Sequence, residues 1–223
     1  MTSGIKKPAA GTLISFEGIE GCGKSTQIAL LAERLRAAGK EVVLSREPGA
    51  TPLGLELRKI LLDPVYSPDS LTELLLYLAD RREHCRLVIA PALQRGALVL
   101  VDRYVDSTWV YQGFARDEVE TSLIERLNRL VVGDFWPQLT FVLDCPADRG
   151  LERARQRNLE SGVVGVADRF EQRHLDFHSR VRQGFLVLAD VAKERFRVID
   201  ADREIAMIHN DIWQKLILQD AVS

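Results

Sequence analysis

The stretch GTLISFEGIEGCGKSTQIALL, residues 11–31, decides the fold of this chain. Its centre, GIEGCGKS at residues 18–25, matches the pattern G-x-x-x-x-G-K-[ST] in full. The apolar run 12–16 before it predicts a buried strand, and the spacing after it predicts a helix over 25–38. A glycine-rich turn between strand and helix points backbone N–H groups at phosphate oxygens, and the helix N-terminus adds partial positive charge. We therefore predict a phosphate-binding loop and disfavour a plain glycine turn.

Four side chains in or near this loop have chemistry to assign. Lys24 can reach the β- and γ-phosphates of a nucleotide, and the Ser25 hydroxyl can bind Mg²⁺. Asp102 ends the buried run ALVLVD, where open α/β sheets bind ligands, so it is a candidate carboxylate on the Mg²⁺ side. A capping role in a turn is the alternative for Asp102. Cys22 is interpreted as a small residue that its position tolerates rather than as a reactive thiol.

Apolar runs rich in β-branched residues alternate with segments of helical spacing along the rest of the chain. Further strands are predicted at 42–44, 97–101, 139–143 and 196–199. Further helices are predicted at about 53–62, 71–94, 120–132, 147–157, 168–193 and 203–218. This alternation predicts an α/β fold in three layers, with a five-stranded parallel sheet flanked by helices.

A chain of 223 residues fits one α/β domain, which we place at 11–223 after a loose tail at 1–10. The segment NLESGVVGVA, residues 158–167, has two glycines and no periodicity, and arginines flank it on both sides. We interpret it as a mobile loop within a short lid at about 153–169.

Composition excludes several classes of partner. A net charge of −2 gives no indication of the basic surface that a nucleic acid polymer or an anionic membrane would require. No apolar run follows the basic segment MTSGIKKPAA, so neither a signal peptide nor a membrane helix is predicted. Three widely spaced cysteines favour a reduced protein in the cytoplasm.

Five separated motifs carry a resemblance to a known family. They are FEGIEGCGKST (16–26), REPGATPLG (46–54), ELLLYLADRREH (73–84), DRYVDSTWVYQG (102–113) and DRFE (168–171). In order and spacing they resemble thymidylate kinases of the nucleoside monophosphate kinase superfamily, over nearly the whole chain. The resemblance implies a P-loop kinase that uses ATP and Mg²⁺ to phosphorylate dTMP to dTDP, and it implies a homodimer. The implied ATP-binding residues are Gly18, Ile19, Glu20, Gly21, Cys22, Gly23, Lys24, Ser25 and Thr26; Ser25 and Asp102 are the implied metal side chains.

The resemblance also implies an acceptor site. Arg46 and Arg103 are expected to hold the acceptor phosphate, Tyr77 to stack on thymine, and Arg81 to hydrogen-bond the base. Glu17 is expected to address the 3′-hydroxyl, directly or through an arginine. The remaining implied substrate-binding residues are Pro48, Ser107, Thr108, Tyr111 and Gln112. Two positions depart from the family pattern: Tyr77 stands where phenylalanine is common, and Ala50 stands where glycine is usual.

The P-loop interior has no basic residue, so the resemblance implies that a catalytic arginine comes from the lid. The candidates are Arg153, Arg155, Arg157 and Arg169. The alternative is that these arginines only keep the exposed face of a helix in contact with water. With Lys24, Asp102 and Arg103, the first three complete the predicted catalytic set. Two alternatives stay open at this point: a kinase for another pyrimidine monophosphate, and a binding module in which ATP acts as a switch.

Overall fold

The computed structural model describes residues 11–160, 170 and 173–218. Five parallel strands form one sheet, in the order β2-β3-β1-β4-β5. Their bounds are Thr12–Glu17 (β1), Val42–Arg46 (β2), Leu98–Asp102 (β3), Leu139–Asp144 (β4) and Phe196–Asp200 (β5). The predicted α/β fold and all five strands are confirmed, with strand ends shifted by one or two residues.

Nine α-helices connect and cover these strands in the described part of the chain. They are Lys24–Ala37 (α1), Pro52–Leu62 (α2), Ser70–His84 (α3), Ala90–Gln94 (α4), Val105–Thr108 (α5), Thr121–Val132 (α6), Ala147–Glu160 (α7), Leu175–Val191 (α8) and Ile205–Ile217 (α9). Among the described residues, no helix is both long and apolar enough to span a membrane.

Buried side chains alternate between the two faces of the sheet, which gives the fold its three layers. Ile14, Phe16 and Leu100 pack into a cluster with side chains of α1, α8 and α9. The neighbouring residues Leu13 and Val99 face the other way, toward the helical segments around residues 85–93. The three central strands, β1, β3 and β4, are buried on both faces, and each appears in the sequence as a mainly apolar run.

Strand β1 lies at the centre of the sheet, between β3 and β4. Thr12 pairs with Leu98 of β3, and Ile14 pairs with Leu139 of β4. The chain leaves β1 where neighbouring connections diverge, at the carboxyl edge of the strands. Open α/β sheets bind their ligands at this edge, and the loop 18–25 follows directly.

The predicted helix over 71–94 is not uniform. Helix α3 passes into a π-helical turn at Cys85–Ile89, which then continues as α4. Pro91 lies in the first turn of α4. Its ring cannot donate a backbone hydrogen bond and crowds the carbonyl four residues earlier, so a wider turn before it relieves the conflict.

Two further differences concern helix bounds. The helix predicted over 168–193 begins only at Leu175, because Phe170 and residues 173–174 are not helical. A second π-helical segment, Trp109–Phe114, follows α5. The sequence analysis predicted neither α5 nor this segment. Residues 161–167, most of the predicted mobile loop, lie outside the described residues, as does the tail at 1–10.

Candidate active site

The loop 18–25 has the backbone shape that a phosphate cradle requires. Gly21 and Gly23 adopt φ values of +70° and +94°, where side chains are strained. A Cβ on Gly21 would also lie 1.9 Å from the carbonyl oxygen of Gly150. The Lys24 ammonium donates to the Ile19 carbonyl at 2.8 Å and the Gly18 carbonyl at 3.2 Å. The lysine thus lies across the mouth of the loop.

Ser25 and Asp102, the two side chains predicted to hold Mg²⁺, are in contact with each other. The Ser25 hydroxyl donates to Asp102 Oδ2 at 2.8 Å. No group of three His, Cys, Asp or Glu side chains that could hold a metal occurs among the described residues. One carboxylate and one hydroxyl fit Mg²⁺, which keeps several waters and takes further oxygens from substrate phosphates.

Cys22 lies in the loop as a buried free thiol. Burial raises its pKa, and this effect outweighs the opposing charges of Lys24 and Arg103. A thiol with a raised pKa is a poor nucleophile. The geometry therefore agrees with the interpretation of Cys22 as a packing residue.

Two cavities meet beside the loop. The larger, which we call the donor cavity, has about 1550 Å³ of space not filled by atoms, part of it open to solvent. Its walls are formed by residues 20–27 with Arg46, Glu47, Arg58, Asp102, Arg103, Arg153, Arg157, Arg203, Ile205 and Ile208. Most of the charged side chains in this wall are cationic, which suits a polyphosphate.

The smaller, which we call the acceptor cavity, has about 510 Å³ of space not filled by atoms, part of it open to solvent. It is lined by Glu20, Glu47, Pro48, Arg58, Leu62, Tyr77, Arg81, Arg103, Ser107, Thr108, Tyr111, Gln112 and Phe170. Glu20, Glu47, Arg58 and Arg103 line both cavities. A ligand in one cavity therefore lies next to a ligand in the other.

Arg103 is positioned at this junction by an uncommon backbone. Its φ is +67°, rare for a residue with a side chain, and its N–H donates to the Phe16 carbonyl at 3.0 Å. One guanidinium nitrogen donates to Glu20 Oε1 at 2.9 Å and another to Ser107 Oγ at 3.2 Å. The guanidinium also lies over the Tyr111 ring, 4.8 Å from its centroid. The strained turn after β3 thus aims a fixed cation between the cavities.

Glu20 is the anion at the same junction. Its Oε1 accepts from Arg103 and, at 2.8 Å, from the Tyr111 hydroxyl. Burial alone would raise the pKa of Glu20, but the charges of Arg103 and Lys24 and the nearby His178 ring hold it well below its usual range. Glu20 is therefore a carboxylate, and it was predicted only as part of the ATP loop.

The structure does not bring Glu17 to either cavity. Its carboxylate is fully buried and accepts from Tyr104 N–H at 2.8 Å and the Ser107 hydroxyl at 2.6 Å. Burial, assisted by the nearby charge of Asp106, raises the pKa of Glu17 to about 7. Glu17 thus fixes the segment that carries Arg103, whereas Glu20 is the acidic side chain of the loop that lines the acceptor cavity.

Arg81 lines the acceptor cavity, but three of its N–H groups are engaged elsewhere. They donate to Glu47 Oε2 at 2.8 Å, Asn128 Oδ1 at 2.7 Å and the Tyr104 carbonyl at 3.0 Å. The other carboxylate oxygen of Glu47 lies 2.8 Å from His84 Nδ1. This buried network fixes the wall of the cavity behind Arg81.

The other predicted acceptor residues are brought together, with one exception. Pro48, Tyr77, Ser107, Thr108, Tyr111 and Gln112 all line the acceptor cavity. Gln112 donates to Glu73 Oε1 at 2.8 Å, which fixes the orientation of its amide. Arg46 instead lies in the wall of the donor cavity, at the end of β2. Around Ala50, the Gly49 N–H donates to Asp80 Oδ1 at 3.1 Å.

The predicted lid arginines do not act as one set. Arg153 and Arg157, four residues apart on α7, line the donor cavity, whereas Arg155 is exposed on another face. Arg153 is also held by Asp202 at 2.9 Å and by the Ala201 carbonyl at 3.0 Å. Arg169 lies outside the described residues.

Sequence reasoning missed one basic side chain that lines both cavities. Arg58 on α2 donates to the Pro48 carbonyl at 2.9 Å, across the loop that follows β2. Leu62, four residues later, lines the acceptor cavity as well. The spacing of four in the predicted helix over 53–62 was the available signal, because it places both side chains on one face.

Comparisons with known proteins agree with this geometry. The family model described as thymidylate kinase matches residues 16–212. A thymidylate kinase of Geobacter sulfurreducens is 52% identical over 193 residues, which cover 86% of this chain and 90% of that protein. One from Halothermothrix orenii is 45% identical over 206 residues, covering 92% of this chain and 96% of its own. The crystal structure of a thymidylate kinase from Ehrlichia chaffeensis, 36% identical, superimposes with a TM-score of 0.74 over 93% of this chain and 99% of the other. The chain belongs to the thymidylate kinase family.

Proposed function

We propose that this chain transfers the γ-phosphoryl group of ATP to dTMP, giving dTDP and ADP and supporting dTTP synthesis. The observation that carries the proposal is the junction of the two cavities, where Glu20 and Arg103 belong to both walls. Phosphoryl transfer requires mainly that two nucleotides be held in line and that charge be neutralised between them. A cation held between a phosphate loop and a second, adjoining cavity meets both requirements.

On the donor side, backbone N–H groups of residues 18–25 hold the phosphates of ATP, and Lys24 moves from the loop carbonyls to the β- and γ-phosphates. Ser25 and Asp102 would hold Mg²⁺, which would neutralise charge on the phosphates. Arg153 and Arg157 approach the same phosphates from α7, because they line the same cavity. Arg46 and Arg58 add positive charge where the donor and acceptor phosphates meet.

On the acceptor side, Arg103 shares its N–H donors between Glu20 and the phosphate of dTMP. Its guanidinium suits this role because it presents a planar fork of donors to phosphate oxygens. Tyr77 stacks on the base, and Gln112 and Arg81 present polar atoms at its edge. Tyr111 lies under the sugar, where its bulk disfavours a 2′-hydroxyl.

We also propose the assembly, compartment and domain organisation. Leu53 on α2 and Leu71 and Leu75 on α3 are about half exposed, which favours burial in a homodimer. Cys22, Cys85 and the third thiol, Cys145, are free, which favours the reducing cytoplasm. One domain over 11–223 is supported by the family match over 16–212. Light scattering at micromolar concentration tests the dimer, since a monomeric mass contradicts it.

The activity is tested by incubating the purified chain with ATP, Mg²⁺ and, separately, dTMP, dUMP, dCMP and ribothymidine monophosphate. Products are separated by chromatography, and Lys24→Ala, prepared in parallel, controls for contaminating kinases. We expect equal amounts of dTDP and ADP, and a preference for dTMP over dUMP of about 10- to 100-fold, the value of one methyl group in an apolar pocket. Faster turnover of another monophosphate would overturn the acceptor assignment, and no product with any of them would overturn the kinase.

A further inference from the structure

His178 on α8 is a buried polar side chain without a role in the site described so far. Its exposure is 0%, and neither ring nitrogen makes a hydrogen bond with any residue that the structure describes. A buried polar group without a partner is costly, and an apolar side chain of similar size would avoid the cost. The presence of a histidine at this position is therefore better explained by a polar partner that its ring faces than by packing.

What it faces is the second oxygen of Glu20. His178 Nδ1 lies 3.3 Å from Glu20 Oε2, which itself has no hydrogen-bond partner in the described part of the chain. Oε1 of the same carboxylate already accepts from Arg103 and Tyr111. Oε1 of the carboxylate is thus hydrogen-bonded, whereas Oε2 only has the His178 ring nearby. A small rotation of that ring would form a hydrogen bond between Nδ1 and Oε2.

The surroundings hold the ring at this place. On α8, Phe177 and Phe185 both contact the edge of Tyr111, with ring centroids 6.0 and 6.3 Å apart. Phe177 also stands edge-on to His178 at 5.5 Å. Helix α8 therefore packs as a unit against the Tyr111 side of the acceptor cavity and brings His178 to Glu20.

This arrangement matters when the acceptor phosphate binds, a step that rests on the proposed function. Arg103 then shares its donors with a phosphate, and the bond to Glu20 weakens. Glu20, with a side chain only 12% exposed, would be left as a poorly compensated buried charge. We propose that His178 is a positioning residue that holds Glu20 through Oε2 while Arg103 serves the acceptor phosphate.

The test compares His178→Phe, which keeps an aromatic ring but removes both nitrogens, with His178→Gln, which keeps an N–H donor. Both are assayed for KM and kcat with dTMP and with ATP, and for thermal unfolding. We expect His178→Phe to raise KM for dTMP about tenfold, the value of one charged hydrogen bond, with KM for ATP changed less than about twofold. His178→Gln should stay within about threefold of wild type. His178→Leu replaces the Phe variant if that one does not fold.

Two comparisons separate positioning from structure. His174→Gln, an exposed histidine one turn earlier, should behave as wild type. In a Glu20→Gln background, His178→Phe should have no further effect, because the two residues act through one contact. An unchanged KM for dTMP, no rescue by Gln, or an effect that persists in the Glu20→Gln background would overturn the assignment while leaving the kinase intact. Wild-type turnover is measured first, and its absence would overturn the proposed function and this assignment together.

Discussion

Replacing Glu17 by Gln should change how the stability of the fold depends on pH. Glu17 ends β1 with no exposed surface, and it accepts from the Tyr104 N–H and the Ser107 hydroxyl. Burial, with Asp106 nearby, raises the pKa of its carboxyl from 4.5 to about 7. Gln has the same shape, can still accept from Tyr104 and can donate to Ser107, and carries no charge at any pH.

The sign follows from the direction of the shift. In the folded protein Glu17 retains its proton up to about pH 7, whereas in the unfolded chain it releases the proton near pH 4.5. The contribution of Glu17 to the free energy of unfolding is therefore full below pH 4.5 and is lost as the pH rises through 7. Each unit of difference between the folded and unfolded pKa values corresponds to about 1.4 kcal/mol, so the free energy of unfolding should fall by about 3 kcal/mol.

Urea unfolding followed by circular dichroism at pH 5.0 to 8.0 measures this effect. Wild type should lose stability across this range relative to Glu17→Gln, by an amount approaching 3 kcal/mol at the top. Glu33→Gln, on the exposed face of α1, is the matched control and should run parallel to wild type. If wild type and Glu17→Gln keep a constant difference over the whole range, the carboxyl titrates normally and the reasoning is refuted.

Three further outcomes are expected. Arg103→Lys keeps the charge but loses the fork that reaches Glu20 and the acceptor phosphate, so kcat/KM for dTMP should fall about 100-fold in steady-state assays, with thermal stability little changed. Arg157→Ala should lower kcat by about 10³, whereas Arg155→Ala, on the exposed face of the same helix, should leave it within about twofold; equal rates would remove Arg157 from the reaction. Gly21→Ala would place a Cβ 1.9 Å from the Gly150 carbonyl, so unfolding in urea should show a loss of about 2 kcal/mol or more, and unchanged stability would contradict the loop geometry.

The sheet was predictable because its central strands, β1, β3 and β4, are buried on both faces and mainly apolar, while the partly exposed edge strands β2 and β5 carry shorter apolar runs. Four of the strands continue beyond the predicted bounds by one or two residues, and the fifth, β3, is shifted by one at both ends. All five end on a polar residue: Glu17, Arg46, Asp102, Asp144 and Asp200. An apolar pattern stops at such residues, while the backbone ladder continues through them. The least predictable ends of the strands are therefore the edge that forms the site.

The site was predictable where one motif contains both the residue and its neighbours. Lys24 and Ser25 follow from the pattern of their own loop, whereas Tyr111 and Gln112 were assigned only through the family resemblance of the segment 102–113. The contact between Glu20 and His178 joins positions 158 residues apart, and no local pattern predicts such a pair. Three of the arginines of α7, Arg153, Arg155 and Arg157, were treated as one set, although alternate residues on a helix point to different faces. Helical spacing alone would have separated Arg155 from the other two.

The π-helical turn at Cys85–Ile89 has a consequence for how this fold tolerates changes of length. A π turn accommodates one residue more than an α-helical turn, without rotating the helix on either side of it. Deleting one residue there would shorten the turn to α geometry and keep the Tyr77 face and the Leu93 face aligned. The same deletion within α3 would rotate one face by about 100° relative to the other. Insertions and deletions in this part of the chain should therefore concentrate at the π-helical turn. There they change the length of the chain without changing how the acceptor cavity is oriented relative to the core.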